Sequence, residues 1–227
     1  MDKPVEYEQT NPKWAGIPYT VTGNPNETIG TDGCGPTCAA MVVATLRDKS
    51  VTPKQAAAWS VEKGYLSPYD GTYWGYFVPY LKKYRIDCKR TDSPDEAITA
   101  LKKDRMVISA MRKGNWTSIG HFILAYGIDA AGRVKIHDPN SEAPSRELGN
   151  IGNYRKEGAQ FWIIPEAWRM EVKTQQIKDL DRNKVVTVES INLDGTTYTK
   201  TRDIEKLCPV TIGYDGKMPT IKANYNK

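Results

Sequence analysis

The stretch GCGPTCAAMVVATL, residues 33–46, constrains this chain more than any other. After its first turn it is apolar on every side, and a helix without a polar face belongs at the centre of a fold. Pro36 suits the first turn, where a missing N–H costs nothing, so a central helix is predicted from about Pro36 to Arg47. Two of the four cysteines, Cys34 and Cys38, stand one turn apart at its head.

The rest of the chain is built to bury such a helix. Its 227 residues, 39% hydrophobic and 26% charged, suffice for one large domain or a domain with a small appendage. No window approaches the roughly 18 consecutive apolar residues of a membrane span. The opening MDKPVEYEQTNPKW lacks the apolar core of a signal peptide, which predicts a chain made in the cytoplasm. Cysteines at 34, 38, 88 and 208 are sparse, and the histidines are His121 and His137 alone. Neither a disulfide framework nor a zinc site is expected from that inventory, and no cofactor. The net charge of +5 is spread along the sequence, with ten basic against eight acidic residues over 171–227. No basic stripe of the kind that tracks a nucleic acid is present.

Helices are predicted after Thr52 with Pro53 at the first position and a stop at Gly64, over 71–86 with Tyr76, Phe77, Tyr80 and Tyr84 on one face, and after the cap Ser93. RMVISAMR (105–112), HFILAYGID (121–129), RVKIHD (133–138) and QFWIIP (160–165) read as strands. Helices followed by consecutive strands predict an α+β domain with an antiparallel sheet over residues 1–165. A connector is expected over 166–183. Residues 184–227 then read as a small α+β module, with Asp-Gly turns at 194–195 and 215–216 and a short helix near 201–207.

Cys34 sits at a loop-to-helix junction, where free N–H groups and the positive end of a helix favour an anion. Gly33 and Gly35 would leave room for a substrate backbone. Cys38, one turn into the apolar helix, reads as a small core hydrophobe. A nucleophilic thiolate needs a base. In the hairpin from His121 to Asn140, facing positions sum to about 260–262, which puts Asp138 opposite or diagonal to His121. An acid there would orient the imidazole, with Asn140 as the alternative orienting residue. His137 points to the other face. Trp74, Tyr76, Phe77, Tyr80 and Tyr84 read as core, and Trp116, in the loop before His121, as a groove wall.

Taken together, GCGPTCAAM, GHFILAYGID and GRVKIHDPN resemble family thirty-nine of the cysteine peptidases, papain-like enzymes that include bacteriocin-leader processors and phage endolysins. The match runs from about residue 5 to residue 165, with YEQTNPKW resembling the family's opening although Asn11 replaces its usual Asp. The resemblance implies a nucleophile at Cys34, a base at His121 and an orienting acid at Asp138. Where some members carry an oxyanion-hole glutamine, Thr28 stands here, and Gln9 becomes the candidate, joined by the Cys34 N–H.

Residues 184–224 resemble the small copper-amine-oxidase N-terminal-like module of Gram-positive surface proteins and phage lysins, without copper chemistry. These two resemblances imply a cysteine endopeptidase that hydrolyses bacterial peptidoglycan after release at lysis. Wall binding or self-association would fall to the C-terminal module, with no nucleic-acid or membrane partner. The alternatives are a peptidase for a protein or leader peptide, and a degenerate papain fold that only binds.

Overall fold

The computed structural model describes residues 3–69, 71–140 and 147–167, with side chains to 165, and beyond these the backbones of five strands: 172–179, 184–193, 196–199, 210–214 and 219–223. Contacts divide the chain into Met1–Arg169 and Met170–Lys227.

In the first unit, helices α1 (Ile29–Asp32), α2 (Cys34–Leu46) and α3 (Pro53–Glu62) lead to a 3-10 turn (Trp74–Tyr76) and α4 (Phe77–Lys83). Strand β1 (Lys89–Thr91), α5 (Pro94–Leu101), β2 (Arg105–Arg112), β3 (Gly120–Ile128), β4 (Val134–His137), β5 (Leu148–Gly149), α6 (Ile151–Glu157) and β6 (Gly158–Ala167) follow. The six strands form one antiparallel sheet in the order β1-β6-β2-β3-β4-β5, the α+β architecture expected.

Helix α2 is the centre of the fold, with every residue from Gly35 to Ala44 buried. It starts at Cys34 rather than Pro36, because Gly33 takes the cap position and Pro36 fits inside the first turn. Its cluster with Tyr76, Phe77 and Tyr80 covers one face of the sheet through Ile108, Phe122, Leu124 and Trp162. Phe77 sits 4.5 Å from Trp162 and 4.9 Å from Phe122, ring centre to ring centre. Helix α5 and Tyr154 of α6 pack on the other face, against Val107, Ile123, Ala125 and Phe161. Strands covered on both faces lose the alternation of polar and apolar residues, which explains the near-continuous apolar runs in β2 and β3.

Helix α3 is capped by Thr52 with Gln55 and ends at Glu62, with Gly64 at a φ of 72°. The long helix expected over 71–86 is shorter. Gly71 at a φ of 67° and the Leu66–Thr72 bridge hold the first residues in a turn, and Arg85 at a φ of 56° ends the helix. Short elements with little apolar periodicity, β1, β5 and α6, have no counterpart among the predicted ones.

The second unit is sheet where described. Strands β7 (Val172–Asp179), β8 (Lys184–Leu193) and β9 (Thr196–Thr199) form one antiparallel sheet, and β10 (Val210–Tyr214) pairs with β11 (Pro219–Ala223). Residues Val172–Asp179, inside the expected connector, are thus a strand of this unit. Leu193 faces Thr196, the register of a two-residue hairpin. The turns at 194–195 and 215–216 and the helix near 201–207 lie outside the described residues.

Candidate active site

Cys34 opens helix α2 and is the first helical residue, whose N–H lies outside the ladder of its own helix. The flanking glycines serve packing rather than substrate approach. A Cβ on Gly33 would stand 2.4 Å from the Ile29 carbonyl oxygen, and one on Gly35 2.8 Å from Thr72 Oγ1. They let α1 and the turn at Thr72 close on the head of α2, which fixes where the thiol emerges. Cys34 stays half-buried and lines a cleft of about 680 Å³ with His121 and Gln9. Cys38 is fully buried, and burial holds its thiol well above the ordinary range. Burial likewise pushes the Cys88 thiol up to about 12. Cys208 lies outside the described residues.

His121 is the second residue of β3 and Asp138 follows β4 directly. Their meeting depends on a single irregularity. Near the turn the strands pair Ile128 with Val134 and Gly127 with Lys135; beyond it Ala125 faces Ile136 and Leu124 faces His137. The extra residue, Tyr126, is a bulge that shifts the register by one. Continued past the bulge, the register sets Asp138 across from Ile123, on the same face as His121 and one diagonal away. Without it, Asp138 would stand across from Leu124 on the opposite face.

The Asp138 carboxylate accepts from His121 Nε2 at 2.7 Å, with both side chains buried. The Asn140 backbone N–H donates to the same oxygen at 3.0 Å, so Asn140 braces the acid while Asp138 orients the ring. With Nε2 committed, Nδ1 is the nitrogen left for Cys34. Burial alone would lower the imidazole pKa, but the hydrogen bonds to Asp138 and Cys34 and their negative charges raise it to about 9.

Gln9 reaches the cleft from the N-terminal segment. It is 2% exposed, its Nε2 donates to the Gly30 carbonyl at 2.9 Å, and its backbone N–H donates to Pro139 O at 2.7 Å. Thr28 is occupied as the cap of α1. His137 faces away from the cleft, as expected, and ties down the N-terminal segment. Its Nδ1 is 2.9 Å from Glu6 Oε1, its Nε2 3.3 Å from Pro4 O, and its ring stacks on Tyr126. One strap, residues 4–9, therefore joins the Gln9 amide to the loop that carries Asp138.

Tyr76, Phe77 and Tyr80 are fully buried core residues, whereas Trp74 is 42% exposed and walls the cleft. Trp116 differs from its expected role. It borders the cleft but is 1% exposed, edge-on to Tyr154, and supports its loop from beneath because Gly149 leaves space for the ring. Cleft residues that no sequence signal indicated are Asp32, Tyr69, Arg112 and Ile119. Each lies in a loop or at the end of a short helix or a strand, where neither periodicity nor spacing carries information.

The family model described as Peptidase_C39 like family matches residues 8–165. No curated protein matches the chain. Among solved structures, the peptidase domain of Streptococcus ComA, a bi-functional ABC transporter involved in quorum sensing, is similar with a TM-score of 0.42 and 17% identity. That match covers 60% of this chain and 93% of that one. The family match spans most of the unit that carries the cleft, from just before Gln9 to the end of the described side chains, and with it this chain belongs to the Peptidase_C39-like family of cysteine peptidases.

Proposed function

We propose that the chain is an endopeptidase that hydrolyses peptide bonds of bacterial peptidoglycan, with Cys34 as nucleophile. The observation that carries the chemistry is Cys34 and His121 lining one open cleft, with the buried Asp138 bonded to the far side of the His121 ring. Cys34 Sγ attacks the scissile carbonyl carbon, and the C=O electron pair moves to oxygen, where the Cys34 N–H is the candidate donor and Gln9 Nε2 would join it by giving up its bonds to the Gly30 and Thr31 carbonyls. The protonated His121 gives its Nδ1 proton to the departing amine nitrogen, leaving a thioester. A water then gives a proton to His121, attacks the thioester carbon and releases the thiolate, which restores the imidazolium–thiolate pair. Asp138 stays ionised and holds the ring.

What supports the wall polymer as substrate is the make-up of the chain: a peptidase unit followed by a separate strand-built unit similar in sequence to surface-protein modules. On this reading the second unit raises local concentration at the wall, by direct binding or by self-association, and the enzyme acts outside the cytoplasm. Mass spectrometry of purified peptidoglycan digested with the full chain tests it. New peptide termini are expected, absent with Cys34→Ala. An undigested polymer together with cleavage of protein substrates would move the assignment to a peptidase acting on a protein or leader peptide.

A further inference from the structure

The cleft carries one acidic side chain among its lining residues, Asp32, two positions before the nucleophile. It is half-exposed, accepts a 2.6 Å hydrogen bond from Thr31 Oγ1, and forms no ion pair among the described residues. Gly71 lies against its backbone: a Cβ there would be 3.7 Å from the Asp32 carbonyl oxygen. Two residues earlier, Tyr69 is 91% exposed, and Ile119, from the loop before β3, is 89% exposed; both line the cleft. Singly exposed apolar residues are ordinary on a surface, but these two line the same cleft as a carboxylate that has no ion pair among the described residues.

A carboxylate that shares a cleft with exposed apolar side chains fits an aliphatic stem ending in a cation. The stem shields Tyr69 and Ile119 from water while the ammonium reaches the carboxylate. The cleft's own base, Arg112, stands on the other wall with Nη1 held by the Gly158 carbonyl, and its charge would repel a cation placed there. We propose that Asp32, with Tyr69 and Ile119, selects a substrate residue with a free side-chain amine, a lysine-like diamino acid close to the scissile bond. This deepens the proposed function, because the stem peptides of the wall carry such a residue.

The test compares two synthetic peptides that differ only in whether the side-chain amine is free or acetylated. Each pair is built in a stem-peptide context and in an unrelated protein-derived context, and read as kcat/KM by chromatography of the products. The wild type should prefer the free amine by about fivefold, the upper end of what one ion pair contributes in a partly solvated site. That preference should weaken as salt rises. Asp32→Asn keeps an acceptor for Thr31 but removes the charge, and should reduce the preference to below about twofold. Tyr69→Ala should lower kcat/KM for both members of a pair, because the stem is common to them. Equal cleavage of both members by the wild type, or an undiminished preference in Asp32→Asn, would overturn the assignment. Cleavage confined to the protein-derived context with the amine preference intact would uphold Asp32 and count against the wall polymer.

Discussion

The two walls of the cleft hold their functional groups by different means. On the helix wall, Cys34 is placed by contacts near in sequence: the cap at Gly33, the packing of Gly33 on Ile29, and ten consecutive buried residues behind it. On the sheet wall, His121 and Asp138 meet only because β3 and β4 are paired in one register, and their loop is held by a strap more than a hundred residues away in the chain. The first wall is anchored in the core. The second is assembled from parts that can shift against each other, so substitutions should act on it by degrees.

The sharpest break is on the helix wall. Cys34→Ala should abolish peptide-bond cleavage and leave the thermal midpoint close to wild type, since the side chain is half-buried and packs only at the edge of the core. Cys38→Ser, one turn on, should do the reverse. It puts a hydroxyl at a fully buried position and should cost about 1–3 kcal/mol while turnover persists. Loss of turnover in a folded Cys38→Ser protein, with activity retained in Cys34→Ala, would reverse the assignment of the nucleophile.

On the sheet wall the effect should be smaller and should depend on pH. His121 is raised from 6.5 to about 9 against the pull of burial, by Asp138 together with Cys34. The alkaline limb of kcat/KM should therefore lie near 9, where the proton for the departing amine is lost. Asp138→Asn removes the negative charge, so that limb should move to lower pH and the rate should fall by about one order of magnitude, less than in Cys34→Ala. Stability follows the same sign. A folded pKa above the unfolded value contributes fully below about 6.5 and is lost as pH rises through 9. The gap in thermal midpoint between wild type and Asp138→Asn should thus be wide at pH 6 and narrow above pH 9.

The same contrast sets what could be read in the sequence. The central helix, the cap at Thr52 and the core role of Cys38 follow from patterns within a few residues, and they stand where expected. His121 and Asp138 were recognisable as partners, but facing sums of 260–262 span registers that place Asp138 on either face. The bulge at Tyr126 decides between them, and no turn residue or period marks it. Gly33 and Gly35 were visible as special positions, yet the purpose of Gly35 depends on Thr72, which only the folded chain brings near. The strap could not be read at all. Glu6 and His137 look like ordinary residues until the chain sets them 2.9 Å apart.

That strap offers the gentlest way to sharpen the comparison. Its 2.9 Å contact with His137 Nδ1, with help from Lys3, holds the Glu6 carboxyl down at about 2 despite partial burial. Glu6→Gln keeps the shape and removes the charge, so the strap should hold Pro139 and the Asp138 loop less firmly. Turnover should fall about twofold to threefold, the scale of less than 1 kcal/mol for a partly exposed pair, with KM nearly unchanged because Glu6 does not line the cleft. A depressed carboxylate stabilises above its unfolded value of 4.5 and loses that contribution as pH falls toward 2, so the stability gap between the two proteins should close over that range. A matched substitution on the helix wall, Arg47→Gln, removes another charged tie, the bonds of Arg47 to the Leu46 and Arg85 carbonyls, at the far end of α2 from Cys34. It should leave kcat at the wild-type value, because ten buried residues lie between that tie and the thiol. Equal losses of kcat in Glu6→Gln and Arg47→Gln would mean that the two walls are held alike, and the distinction between an anchored wall and an assembled one would fail.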